Sequence, residues 1–139
     1  MAVIYAPKTG KCTLRKSAST SSAALKKCKA GTVVIVLEQG DKTCKINVNG
    51  TTGYVLTSCL RFYDANTPLL GDGQLSYNGK TTGKTTVNVR NTPEKGSAVI
   101  GDWKTGTQVQ VFSHENGWYE IEYQGMHGYV QEKYLNFEE

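Results

Sequence analysis

The chain predicts an all-β protein built as two tandem small barrels, and three observations carry that reading. Segments of about four to six residues recur between turn signals at spacings of about 8 to 12 residues, the cadence of short strands. Within those segments apolar and polar residues alternate with a period of two, which gives each strand one buried face. The third observation is a repeat: from Cys12 to Phe62 the chain matches the stretch from Val87 to Phe137 at a constant offset of 75, with 15 identities over 51 ungapped positions. Arg15/Arg90, Gly31/Gly106, Gly53/Gly128, Tyr54/Tyr129 and Leu60/Leu135 are among them. A match of that length marks duplication. The 139 residues therefore divide into a first repeat at 1–63, a linker at 64–74 and a second repeat at 75–139.

The elements follow in order. Residues 3–9 (VIYAPKT) and 75–81 (LSYNGKT) open the two copies, pairing Tyr5 with Tyr77 and Lys8 with Lys80, after which the second copy has three extra residues. In that copy Val87 and Val89 face inward, Asn88 and Arg90 outward, and a polar loop spans 91–96. A strand at 99–103 leads through the turn Lys104-Thr105-Gly106 to a strand whose inward face is Thr107, Val109 and Val111. Asn116-Gly117 suits a tight turn with positive φ angles. Trp118, Glu120 and Glu122 then point outward while Tyr119, Ile121 and Tyr123 point inward. Gln124-Gly125 turns the chain again, Gly128-Tyr129-Val130 opens a fifth strand, and a short 3-10 turn is expected over 131–133 before Tyr134-Leu135. The linker is rich in Asp, Asn, Pro and Gly; Leu69 and Leu70 inside it are expected to pack at a domain interface, making a fairly rigid pair.

These residues carry a resemblance. VNVRNTP, a polar loop, VIGDWKTGTQVQV and NGWYEIEYQGMHGYVQEKYL resemble the bacterial Src homology 3 domain family, and TLRKSASTSSAALKKCKAGTVVIVL through GTTGYVLTSCL resembles it more loosely. The resemblance implies a Src-homology-3-like barrel in each repeat and a non-catalytic binding module. Members of that family stand beside catalytic domains in peptidoglycan hydrolases and bacteriophage endolysins. It therefore implies a partner in peptidoglycan or an attached wall polymer, with a catalytic hydrolase domain or protein nearby, and a place of action at the cell wall. An intracellular or virion protein-interaction module is the alternative, since fold alone does not choose between them.

Charge and topogenic signals bound the rest. Residues 1–63 hold ten basic residues against two acidic ones, for +8, whereas residues 64–139 hold six against ten, for −4. This asymmetry reads either as a first domain drawn to an anionic polymer or as electrostatic docking of one half on the other. The opening MAVIYAPKTG has neither the basic start nor the apolar core of a secretory signal. No apolar run approaches the ~20 residues that span a bilayer, so no membrane partner is expected. The basic half lacks interleaved aromatics, so no nucleic-acid partner is expected either.

The candidate ligand-binding residues are Trp118, Tyr129, Arg90, Asn91 and Tyr77. Trp118 offers a flat aromatic platform for a sugar face or a peptide backbone, and the other four would line the same groove. The competing reading has Trp118 capping the barrel edge against its turn. In the first copy Thr43 stands at the place of Trp118, leaving a groove richer in Lys. All four cysteines, Cys12, Cys28, Cys44 and Cys59, lie in the first copy, opposite Val87, Trp103, Tyr119 and Tyr134. They read as buried reduced thiols, or as one or two disulfides if the protein works outside a cell. Spacings of 16, 16 and 15 lack the close ligand pairs of zinc sites, so no metal is expected, and no cofactor. No catalytic constellation is visible: His114 and His127 read as surface loop residues, and Glu120 and Glu122 as a solvated edge.

Overall fold

The computed structural model describes residues 2–19, 21–63, 70–77 and 85–137. Among these, the first repeat forms β1 (Ala2–Ile4), β2 (Lys11–Arg15), β3 (Ala24–Lys29), β4 (Val33–Gln39), β5 (Thr43–Val48), β6 (Thr51–Leu56) and β7 (Leu60–Phe62). The second forms β8 (Gly71–Leu75), β9 (Thr86–Arg90), β10 (Val99–Lys104), β11 (Gln108–Glu115), β12 (Trp118–Tyr123), β13 (Met126–Gln131) and β14 (Leu135–Asn136). Each repeat closes its own seven-stranded sheet, in the orders β3-β2-β6-β5-β4-β1-β7 and β10-β9-β13-β12-β11-β8-β14. The fold is all-β, and the two sheets share one topology. The 75-residue offset carries β2, β3, β5 and β6 onto β9, β10, β12 and β13 residue for residue.

Alternation builds the cores. Along β5 the inward side chains Cys44, Ile46 and Val48 are buried, as are Tyr119 and Ile121 along β12. Ile46 and Ile121, identical in the repeat, are wholly excluded from solvent, and truncating either to Ala would cost about 2–5 kcal/mol. Tight turns join these strands to their neighbours. Asn49-Gly50, Asn116-Gly117 and Gln124-Gly125 each place two successive residues at positive φ (49° and 89°, 52° and 84°, 47° and 77°), matching the twist of the flanking strands.

The structure extends and corrects the sequence reading at several places. Each sheet has seven strands rather than five, because β1, β7 and β14 are too short to show alternation and β8 (GDGQL) has a single apolar side chain, Leu75. Gly71–Leu75 is a strand, so the last residues assigned to the linker already pair with β11. Leu70 is 45% exposed, and its N–H bonds to the Val111 carbonyl of the second repeat. Leu69 lies outside the described residues. Tyr123 is half-buried, and the 3-10 turn falls at Glu132–Tyr134, with a twin at Thr57–Cys59.

The repeats are docked on each other through main-chain atoms. Val33 N–H donates to the Gly125 carbonyl and His127 N–H to the Gly31 carbonyl, both at 2.8 Å, and Ala98 N–H donates to the Pro7 carbonyl at 2.7 Å. Asn91 completes the seam, accepting from Ala6 N–H at 2.7 Å and donating to the Ile4 carbonyl at 3.0 Å. Gly31 lies so close to Ile100 that a Cβ there would come within 2.6 Å of its side chain.

Candidate functional site

On the second barrel a groove of about 170 Å³ opens between Tyr77, Asn88, Arg90, Trp118, Gln131 and Tyr134, with Val87 and Thr86 beside them. Strand alternation puts Trp118 at the start of β12 and Asn88 and Arg90 on β9, all facing away from the core. Tyr77 and Tyr134 stack almost parallel, 5° between planes and 6.0 Å between centroids, and the Lys133 ammonium lies 5.1 Å from the Tyr134 ring centre. Arg90 is tethered from behind: its guanidinium donates to the Ser97 carbonyl at 2.8 Å.

The first barrel has a groove in the same place. It is about 230 Å³ and is lined by Lys11, Cys12, Thr13, Arg15, Thr43, Leu56 and Cys59, each 75 residues before a residue lining the second groove, along with Ser17, Ser19 and Tyr54. Duplication has thus preserved the site as well as the fold. Its chemistry has diverged: Thr43 replaces Trp118 and Cys59 replaces Tyr134, so the first groove is cationic and hydroxyl-lined where the second is aromatic.

Three of the five candidate residues, Trp118, Tyr77 and Arg90, meet in the second groove. The other two do not join them. Asn91 is buried at the seam, spending its amide on Ala6 and Ile4. Tyr129 lies under the Arg61 guanidinium of the first repeat, 4.7 Å from ring centre to Arg61 Cζ, and its hydroxyl accepts a hydrogen bond from Arg61.

His127, Glu120 and Glu122 overturn their sequence reading. His127 is wholly buried on β13, with Nε2 2.6 Å from Glu120 Oε2 and Nδ1 2.9 Å from Glu122 Oε1. Two ring nitrogens facing two carboxylates call for the doubly protonated imidazolium. Burial works against that charge, but hydrogen bonds and attraction from Glu120 and Glu122 outweigh it and raise the His127 pKa above its ordinary value. Burial likewise pushes both glutamates upward, and the hydrogen bonds from His127 prevail and hold them below the usual carboxylate range. The first repeat reaches into this cluster. Arg61 Nη2 lies 3.7 Å from Glu120, Tyr63 donates its hydroxyl to Glu122 at 2.6 Å, and the Tyr63 ring stacks on His127 at 4.2 Å. Phe112 flanks both rings. Burial raises the Tyr63 phenol, keeping it a donor. The cluster is an electrostatic clasp between the repeats, closed to solvent at its imidazole. His114, also no loop residue, lies on β11, stacked on Tyr119 at 4.1 Å and 2.8 Å from Glu132.

One signal in the sequence could have revealed the clasp. At the first-repeat positions of Glu120, Glu122 and His127 stand Lys45, Asn47 and Thr52, so three titratable changes of matching charge fall on two paired strands in one copy alone.

Two like-folded barrels, each with a groove at the equivalent place, define a tandem of small β-barrel modules. A family model described as Bacterial SH3 domain matches residues 11–61 and again 85–136, and the chain belongs to that family. The chain is also 26% identical over 126 residues to YrvJ of Bacillus subtilis (strain 168), which carries the name of an N-acetylmuramoyl-L-alanine amidase. That match takes in 88% of this chain and 24% of the relative, so the chain spans about a quarter of the relative's length. Among solved structures, NlpC1 and NlpC2 of Trichomonas vaginalis align over 99% of this chain, at 16% and 15% identity and TM-scores of 0.40 and 0.41. The alignments take in 45% and 47% of those chains.

Proposed function

We propose that this chain is a non-catalytic tandem module that tethers to bacterial cell wall, to peptidoglycan or a polymer attached to it. Its modules divide in the 64–74 segment, and in the second one Trp118, Tyr77 and Arg90 contact the ligand. The observation that carries this reading is the recurrence of one groove at the same place on both barrels. An indole face beside stacked tyrosines suits a sugar ring or a peptide backbone, and Arg90 supplies a donor for a carboxylate or carbonyl. The Lys11 and Arg15 side of the first groove suits an anionic group. Two weak sites on one body gain from each other, because the second engagement is intramolecular. The amidase relative fits this picture, in which a catalytic domain elsewhere in a longer protein is held on its substrate.

Co-sedimentation of the chain with purified sacculi at low salt tests the proposal. The expected result is retention that weakens as salt rises, with W118A losing about tenfold in affinity while keeping its fold, the loss typical of a central aromatic anchor. Chain left in the supernatant at low salt overturns wall binding, and full retention of W118A overturns the assignment of the groove.

A further inference from the structure

The base of the first groove holds two thiols where the second has Val87 and Tyr134. Cys12, on β2, is almost fully buried, and Cys59, at the end of the Thr57–Cys59 turn, is half-buried; both line the cavity. The Cys12 thiol lies 3.9 Å from the Cys59 carbonyl oxygen and 3.7 Å from that of Tyr5, which places it beside Cys59 at the cavity base. The remaining cysteines are placed differently. Cys28 faces Cys12 across the β2–β3 ladder but does not line the cavity, and Cys44 is engaged by the Thr57 hydroxyl at 3.3 Å. Among the described residues no group of three or more His, Cys, Asp or Glu is arranged to hold a metal ion.

We propose that Cys12 and Cys59 are a redox-active dithiol at the base of the first groove, oxidised to an intramolecular disulfide by a small organic disulfide that enters the cavity. Cys59 is the attacking thiol. The neighbouring Cys12 thiol, as a donor, favours the Cys59 thiolate and outweighs burial, holding its pKa down to about 7, while the same pairing and burial push Cys12 up. The Cys59 thiolate attacks one sulfur of the reagent RSSR, forming a Cys59–S–S–R bond and expelling RS⁻, which takes up a proton. The Cys12 thiol then attacks the Cys59 sulfur, its proton leaving with the second RS⁻. The sum is two protein thiols and RSSR giving one protein disulfide and two RSH, with no other oxidant. Lys11 and Arg15 on the cavity wall favour a reagent that carries carboxylates. The new bond would tie β2 to the Thr57–Cys59 turn, joining covalently the two positions at which the second repeat packs Val87 and Tyr134. None of this depends on what the grooves bind, so a failed sedimentation experiment leaves it standing.

The test uses the full chain, reduced and then exposed to oxidised glutathione at neutral pH, with mass spectrometry and peptide mapping. The expected result is loss of two hydrogens and a single Cys12–Cys59 cross-link. Brief alkylation of the reduced chain is expected to label Cys59 at least about tenfold faster than Cys44, as a thiolate of lowered pKa reacts ahead of a buried thiol. C12S is expected to arrest at a glutathione adduct on Cys59, and C28S to oxidise as the parent does. A cross-link that maps to Cys12–Cys28, no oxidation at all, or equal labelling of Cys59 and Cys44 would each overturn the proposal, and all three are read on the unmutated chain.

Discussion

Arg90 and Ser97 hold the 91–96 loop by the same contacts with which Arg15 and Ser22 hold its counterpart. Each arginine donates to the serine's carbonyl, at 2.8 and 2.9 Å, and each serine hydroxyl bonds two carbonyls of its loop. That explains two of the identities between repeats without appeal to a ligand. Ser97 is buried and its hydroxyl also accepts from Thr92 N–H at 3.3 Å, so S97A leaves that N–H without its acceptor and is expected to cost about 1–2 kcal/mol in urea unfolding. His127 makes the sharper residue-scale case. A histidine whose pKa is raised by folding stabilises fully below its unfolded value near 6.5, and that contribution disappears as pH rises through the raised value. Glu120 and Glu122, lowered on folding, contribute above their unfolded value near 4.5 and lose that contribution as pH falls through the lowered one. Stability is therefore expected to peak between these limits. H127A, which leaves two carboxylates facing each other, is expected to cost roughly 3 kcal/mol and to remove the alkaline fall, as read by thermal denaturation across pH. The sequence concealed this residue because Glu120 and Glu122 alternate outward as a solvated strand would. What buries them is Tyr63 and Arg61, about 60 positions away, and no local pattern records such a neighbour.

At the scale of elements, the crossing of β9 onto β13 is a tight joint. The two strands are registered at Tyr129 and Arg90 alone, and Gly128 sits where a Cβ would come within 2.7 Å of the Arg90 carbonyl and 2.5 Å of Ile100 Cδ1. Gly53 meets the Arg15 carbonyl at 2.8 Å in the same way. This is the physical content of the repeated Gly-Tyr-Val. G128A is expected to lose about 2 kcal/mol by forcing the strands apart, while G96A, with nothing within 4 Å of its Cβ, is expected to stay near neutral; chemical denaturation of both checks the contrast. The central strands were legible because each carries several alternations bounded by Gly or Asn-Gly turns. β1, β7, β8 and β14 were not, since pairing partners rather than an alternating pattern make them strands. Grooves fell between these cases: alternation pointed Trp118 and Arg90 outward, but only the fold showed that Tyr129 and Asn91 turn toward the sister repeat.

At the scale of the whole molecule, the charge asymmetry of the two halves is in part the mark of their docking. Arg61 of the basic half meets Glu120 of the acidic half, and Asn91 stitches main chain to main chain across the seam. The described repeats are therefore expected to unfold in one calorimetric transition. N91A, which orphans Ala6 N–H and leaves the Ile4 carbonyl with Gly31 N–H alone, is expected to cost about 2 kcal/mol and to split that transition in two. Gly31 adds a further constraint, for with Ile100 pressed against it no larger residue fits at this corner without opening the joint. The separation between the two grooves is consequently a fixed length rather than the reach of a tether. Under the proposed wall-binding function, a chain-like target whose chemical period matches that length would fill both grooves at once, and one with another period would fill only one. The joint would then make the molecule a caliper, selecting its target by spacing as well as by composition.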